Sequence, residues 1–198
     1  QRSTLFPYTT LFRSERIPGM GGAWAVLVDL GGHDTYRIAA GGNTSVNNPV
    51  SVLVDLGGRD RYGYVEVPHP LDGARLVSDD GGRYTPTGTM DGGPVSLSEH
   101  PRQGGARAGV AVLVDLGTDD DVYRAHRLSQ GAAAFGAGVL VDEGGDDSYV
   151  GEAMVQGAAA FGYALHLDGG GHDTRSAYTF AQGFSFARAV GVALDGGG

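Results

Sequence analysis

The sequence predicts an all-β fold, a parallel β-helix or β-solenoid with coils of about 26 residues. The first observation is a repeated phrase, Val-Leu-Val-Asp-Leu-Gly-Gly, which begins at Val26 and again at Val52. Variants of the phrase return around later aspartates, and the last three intervals between these aspartates are 27, 26 and 27 residues. A repeat of this period is typical of stacked architectures, in which each unit contacts only its neighbours.

The second observation is the alternation of residues before each of these aspartates. Residues one, three and five positions before the aspartate are apolar in all six copies, apart from Tyr163, and the residues between them are mixed. Because strand side chains point to alternate faces, the pattern predicts a strand whose uniformly apolar face is buried. The intervening leucines are then expected to form an outward apolar stripe that the insertion, a missing domain or a partner can cover. These leucines are Leu27, Leu53, Leu113 and Leu140.

The third observation is that short strands and tight turns fill the rest of each unit. The strand is followed by a turn of the form Asp-x-Gly-Gly-x-Asp-x-Tyr, in which glycines supply positive φ angles. Stacking of the units predicts a ladder of Gln130, Gln156 and Gln182, with amides that bond to one another along the axis. A β-propeller is the main competing fold, but its blades need about 40–50 residues.

Four regions are expected along the chain. Residues 4–14 read as the translation of a short-read sequencing adapter, so 1–14 are treated as an artefact. N-terminal solenoid coils fill 15–62, and C-terminal coils fill 103–198 and end inside a repeat turn. We therefore expect a metagenomic fragment of a longer protein.

The region 63–102 is predicted to be an insertion or a degenerate coil, because the repeated phrase is lost there. Hairpin signals occur at 78–82 and 90–93, each between short runs of strand-forming residues. Insertions in solenoids often form a binding face. An alternative function is therefore a carbohydrate-active enzyme with a cleft beside this region, and its least implausible singular site is His69, Asp72 and His100.

The composition excludes several functions. A net charge of −9 argues against nucleic-acid binding, which requires a basic surface. The chain has no cysteine, so disulfides and thiolate metal sites are excluded. No stretch is long and apolar enough to span a membrane.

Aspartates are the only recurrent chemical groups, and they fall in two columns. The first contains Asp29, Asp55, Asp115, Asp142, Asp168 and Asp195, and the second contains Asp34, Asp60, Asp120, Asp147 and Asp173. Stacked acidic turns supply the oxygen ligands that Ca²⁺ prefers, so all of these except Asp195 are candidate metal ligands. The alternative is that each first-column carboxylate caps its own turn by accepting amide hydrogens from the following glycines.

The turns Gly31-Gly32-His33-Asp34 and Gly144-Gly145-Asp146-Asp147 resemble the calcium-binding repeats of the repeats-in-toxin family. The resemblance covers one turn per repeat, and it implies calcium as a cofactor and an extracellular or cell-surface location. The resulting hypothesis is a structural or binding repeat module of a secreted or surface bacterial protein. Its partner would be a protein or a carbohydrate, and enzymatic activity stays open.

Overall fold

The computed structural model describes residues 24–36, 41–43, 49–63, 65–68, 75–78, 86–90, 93–96 and 101–197. The described residues form twenty strands and no helix. The first ten are β1 (Trp24–Asp29), β2 (Thr35–Tyr36), β3 (Val50–Asp55), β4 (Arg61–Tyr62), β5 (Val65–Pro68), β6 (Arg75–Ser78), β7 (Pro86–Met90), β8 (Gly93–Ser96), β9 (Gly109–Asp115) and β10 (Val122–Arg124). The others are β11 (Ala133–Ala134), β12 (Gly136–Asp142), β13 (Ser148–Val150), β14 (Ala153–Val155), β15 (Ala159–Ala160), β16 (Tyr163–Asp168), β17 (Thr174–Ser176), β18 (Thr179–Ala181), β19 (Ser185–Phe186) and β20 (Val190–Asp195).

The strands stack as a parallel β-solenoid, which confirms the predicted fold class. The largest sheet has six parallel strands in the order β1-β3-β9-β12-β16-β20. Equivalent residues of the repeat lie opposite one another, so that Asp29 pairs with Asp55, and Asp55 with Asp115. A five-stranded parallel sheet, β17-β13-β10-β4-β2, follows the turn, and shorter parallel sheets complete the coils.

The prediction of which strand face is buried is wrong. The interior receives the aspartates and the residues two and four positions before them, and Leu53, Leu113 and Leu140 are fully buried. Leu27 packs against the same core, so the predicted outward stripe is interior. The uniformly apolar positions point outward instead, and Val26 is 64% exposed. Alternation separates two faces, but the inward face is the one whose aspartates find hydrogen-bond donors inside the coil.

The turn after each long strand depends on glycine. Gly58 has a φ angle of 133°, and a Cβ atom there would lie 1.3 Å from the carbonyl oxygen of Gly32 in the preceding coil. L-residues rarely adopt this conformation, and the backbone of the neighbouring coil leaves no room for a side chain. These glycines therefore let successive turns stack in contact.

The predicted glutamine ladder forms, but its amides do not bond to one another. Gln130 Nε2 donates to the carbonyl oxygens of Tyr123 and Val150, which belong to successive coils. Gln156 repeats this arrangement one coil further on. The Oε1 atoms of Gln103, Gln130 and Gln156 are buried without a hydrogen-bond partner. The glutamines thus join coils through the backbone.

The strands between residues 65 and 96 pair antiparallel. β7 and β8 form a hairpin across the predicted turn at 90–93. β6 pairs with β5, and residues 79–82 of the other predicted turn lie outside the described residues. β3 pairs directly with β9, so no described strand of the region 63–102 joins the largest sheet. The described part of the chain contains no helix long and apolar enough to cross a membrane.

Candidate functional site

A column of buried tyrosines runs through the solenoid beside the first-column aspartates. Tyr36, Tyr62, Tyr123 and Tyr149 lie seven or eight residues after these aspartates and stack with ring centroids 4.7–4.8 Å apart. The spacing is that of adjacent strands, because the second sheet places the tyrosines in register. All four rings belong to the main hydrophobic core, so their hydroxyl groups require partners inside it.

All four tyrosine hydroxyls interact with first-column aspartates of two coils, and for Tyr149 these are Asp142 and Asp168. Tyr36 Oη donates to Oδ2 of Asp29 at 2.9 Å and of Asp55 at 2.5 Å. Tyr62 bridges Asp55 and Asp115 in the same way, at 3.3 and 2.7 Å. Tyr123 bridges Asp115 and Asp142, at 3.4 and 2.6 Å. We call these aspartates and tyrosines, with Tyr149, the Asp–Tyr network.

The other oxygen of each first-column aspartate caps its own turn. Oδ1 accepts a hydrogen bond from the amide two residues further on, at 2.9–3.2 Å in all six copies. For Asp115 the donor is Gly117, and for Asp142 it is Gly144. The predicted turn caps therefore form, with one amide donor for each aspartate. One carboxylate both closes its turn and receives a tyrosine from the core.

The second-column aspartates also join neighbouring coils, but one residue of the column differs from the prediction. Oδ1 of Asp60 accepts a hydrogen bond from the amide of Asp34 at 2.5 Å, and the pattern continues along the stack to Asp173. In the third coil this position belongs to Asp121, and the assignment of Asp120 to the column is wrong. The turn after Asp115 has one extra residue, so a fixed spacing of five selected the wrong aspartate. Asp120 instead forms a half-exposed ion pair with Arg59.

The two columns approach each other and form three compact acidic groups. Each group offers one oxygen per residue, and these oxygens lie within 4.8 Å of one another. The groups are Asp55–Asp60–Asp115, Asp115–Asp121–Asp142 and Asp147–Asp168–Asp173. Such buried oxygen clusters could hold a metal ion.

Asp60 has one oxygen that its surroundings leave unsatisfied. The residue is fully buried, and its Oδ2 atom accepts no hydrogen bond. Its neighbour is the carboxyl group of Asp55, which has no proton to give when both groups are ionised. Buried polar atoms normally have partners, so this oxygen requires a proton or a cation nearby.

The pKa values of the acidic groups reflect this crowding. Burial raises the pKa of Asp121 from 3.8 to about 9, and the charge of Asp115 and a hydrogen bond to its side chain add to the shift. Burial likewise raises the pKa of Asp60 to about 7 and of Asp142 to about 8. The pKa of Tyr123 lies well above 10, again because of burial, so the ring keeps its hydroxyl proton. Part of the acidic column therefore retains protons at neutral pH.

The last coil replaces the tyrosine with Arg175. The guanidinium lies in register with Tyr149 and 5.2 Å from the centroid of its ring. Its Nη2 contacts Oδ2 of Asp168 at 2.8 Å and of Asp173 at 3.4 Å, and its Nη1 contacts Asp195. A positive charge thus occupies the space that a phenol fills in the other coils.

The remaining candidate site residues are the histidines and Asp72. His69, Asp72 and His100, proposed for the enzymatic alternative, lie outside the described residues. His166 takes the core position of Leu140 in the next coil, and burial lowers its pKa to about 4, so it is neutral. His126 lies 3.1 Å from Glu152 at a solenoid corner and is partly buried. These two histidines contribute to packing and coil contacts.

Sequence reasoning missed the tyrosine column, Asp121 and Arg175. A signal for the first two was present, because the second-column aspartate always lies two residues before the tyrosine. Alignment on Asp-x-Tyr selects Asp121 over Asp120. Arg175 falls at the tyrosine position of that same motif, so the replacement is also visible in the sequence.

The fold and the site define a class, a parallel β-solenoid repeat protein whose coils are joined by an internal Asp–Tyr network. No protein-family model, curated protein or solved structure matches the chain.

Proposed function

We propose that the chain is a structural repeat module of a secreted or surface-exposed bacterial protein. The observation that carries the proposal is the use of the recurrent polar groups. The first-column carboxylates cap turns, and the second-column carboxylates and the tyrosines join neighbouring coils. Because these groups are hydrogen-bonded within the solenoid, they stabilise the stack of coils and are not available to a substrate. The extracellular location is supported by the resemblance of the turns to repeats-in-toxin sequences.

Surface accessibility on intact cells tests this proposal. The full-length protein, produced in a bacterial host with an epitope tag next to the solenoid, should be labelled by antibody without lysis. A cytoplasmic protein carrying the same tag is the control, and labelling only after lysis would contradict the location. Release of reducing sugar from a panel of polysaccharides would contradict the structural role and favour the carbohydrate-active alternative.

Calcium binding is the second part of the proposal, and the unsatisfied Oδ2 atom of Asp60 is the observation that favours it. Asp55, Asp60 and Asp115 supply three carboxylates at one place. Ca²⁺ takes six to eight oxygens, so a bound ion would also recruit the neighbouring tyrosine hydroxyls or water. The group around Asp168 already contains the guanidinium of Arg175, so it is the least suitable of the three for a second cation.

Thermal unfolding with calcium and with chelator tests this part. Bound calcium stabilises the folded state by mass action, so the Tm should rise with Ca²⁺ concentration. Asp60→Asn should reduce the rise, whereas Asp120→Asn, on the half-exposed Asp120, should leave it unchanged. A Tm that responds to neither calcium nor chelator would remove calcium from the account and leave the structural role intact.

A further inference from the structure

The outward face of the largest sheet is unusually apolar for a protein surface. It contains three outward residues from each of six strands, and we call it the outer sheet face. Its members are Trp24, Val26, Val28, Val50, Val52, Val54, Val110, Val112, Val114, Ala137, Val139, Val141, Tyr163, Leu165, Leu167, Val190, Val192 and Leu194. None of the eighteen is charged, although the chain has a net charge of −9. Trp24 and Tyr163 are 76% and 69% exposed.

Two copies of this face together reach the lower size limit of a protein interface. Six strands at a spacing of about 4.8 Å, each with about 20 Å of outward side chains, give a flat area of about 500 Å². Apolar patches on monomers reach about 300–600 Å², and such patches often mark interaction sites. Two such faces together would bury about 1,000 Å², the size at which specific protein interfaces begin. In the first three coils the exposed Leu30, Leu56 and Leu116 extend the apolar surface further.

The chemistry of the face selects its occupant. A carbohydrate requires hydrogen-bonding groups, but the Tyr163 hydroxyl and the Trp24 indole are the only polar side-chain groups on this face. An anionic membrane surface attracts proteins with basic residues beside the contact, but the net charge of this chain is negative. A second flat face of valine and leucine is complementary, because such faces pack about 10 Å apart in β-sandwiches. The same face on another copy meets this requirement under two-fold symmetry.

We infer that the outer sheet face is a homodimer interface, in which two solenoids pack face to face. Val112 and Val139 lie on the two central strands of the sheet and would occupy the middle of the contact. The interface contains no ion pairs at its centre, and both copies are acidic. Association should therefore strengthen when salt screens the repulsion, and most strongly in sulfate.

Sedimentation equilibrium of the parent chain and three variants tests the inference. The parent should have twice its monomer mass of 20.4 kDa at micromolar concentration. Val112→Glu should have the monomer mass, because a dimer would bury the new charge. The matched control is Val150→Glu, at a 38% exposed valine on the other large sheet, and it should stay dimeric. The double variant Val112→Thr with Val139→Thr keeps shape and strand propensity, and it should weaken association at least tenfold while retaining the parent's circular dichroism spectrum.

Three results would overturn the inference. A parent chain that is monomeric at every concentration would show that the face is free or is covered by the chain itself. A dimer that persists in both Val112→Glu and the threonine double variant would place the interface elsewhere. Association that weakens with salt would indicate an ionic contact rather than an apolar one.

Discussion

The Tyr123 coil and the Arg175 coil differ in the side chain that contacts their buried carboxylates. Both bury carboxylates from two columns against a side chain that enters from the second sheet. Tyr123 supplies one hydroxyl proton and no charge. In the same coil, burial raises the pKa of Asp121 to about 9. Arg175 supplies a full positive charge and contacts three carboxylates. Arg175 therefore compensates part of the buried negative charge in its coil, whereas no cation among the described residues contacts the carboxylates that Tyr123 joins. Burial still raises the pKa of Asp168 to about 7, so the two coils differ in the added cation and not in proton retention alone.

The largest expected effect is that of removing the fixed cation. Arg175→Met should lower the free energy of unfolding by about 3–5 kcal/mol at pH 8, because it leaves buried carboxylates without a partner. The Asp168 and Asp173 side chains are fully buried, so solvent cannot replace the guanidinium. Urea unfolding measures the loss.

Arg175→Tyr is the informative partner of this variant. If tyrosine can replace arginine at this position, Arg175→Tyr should recover at least half of the lost free energy of unfolding, because it restores a phenol to the column. Equal losses in the two variants would show that the last coil requires charge and that the comparison fails.

A smaller loss is expected from removing one bridging hydroxyl. Tyr123→Phe keeps the stacked ring but leaves Asp115 and Asp142 without their shared donor. A hydrogen bond to a charged group contributes about 1.5–3 kcal/mol, and the loss of stability should fall in this range. Tyr163→Phe, on an exposed tyrosine of the outer sheet face, should change stability by less than about 0.5 kcal/mol. Similar effects in both variants would show that the bridges do not stabilise the coils.

The pH dependence of stability tests proton retention in both kinds of coil, because burial also raises the pKa of Asp168, beside Arg175, to about 7. Carboxyl groups whose pKa is raised in the folded state stabilise it fully below their unfolded pKa, near 3.8. This stability is lost as pH rises through the folded values, from about 6 for Asp147 to about 9 for Asp121. The Tm should therefore fall by several degrees between pH 5 and pH 9. A Tm that rises over this interval would contradict the retention of protons in the acidic columns.

The smallest expected effects come from a pair of adjacent aspartates. Asparagine can donate to Asp115 as a protonated acid does, so Asp121→Asn should keep the stability at pH 5 and weaken its fall toward pH 9. Asp120→Asn removes only a half-exposed ion pair with Arg59, so it should cost less than about 1 kcal/mol and leave the pH dependence unchanged. Denaturant unfolding of both variants at pH 5 and pH 9 makes the comparison.

The fold could be predicted from the sequence more completely than the arrangement of the site residues. The repeat period and the strand alternation predict a parallel solenoid, and the register of Asp29 on Asp55 confirms it. Alternation could not identify the interior, because burial of an aspartate such as Asp115 is favourable only once its hydroxyl and amide donors are in place. Those donors come from other parts of the coil, and Tyr62 reaches Asp115 across 53 residues.

Prediction of the site from the sequence was limited by one irregular turn. One additional residue in the turn after Asp115 shifts the second column to Asp121, and a fixed spacing cannot register such an insertion. The tyrosine fixes the alignment, because its ring must stack on those above and below. Long-range stacking, and not turn spacing, therefore decides which aspartates meet.

Carbon NMR of the aspartate carboxyl groups reports whether a proton is retained between the two acidic columns. Selective ¹³C labelling of aspartate, with the signal assigned by its loss in Asp121→Asn, follows this group through a pH titration. We expect Asp121 to titrate several pH units above 3.8, near 9. Titration of Asp121 near pH 4 in the folded protein would show that the columns are fully ionised and would contradict the account.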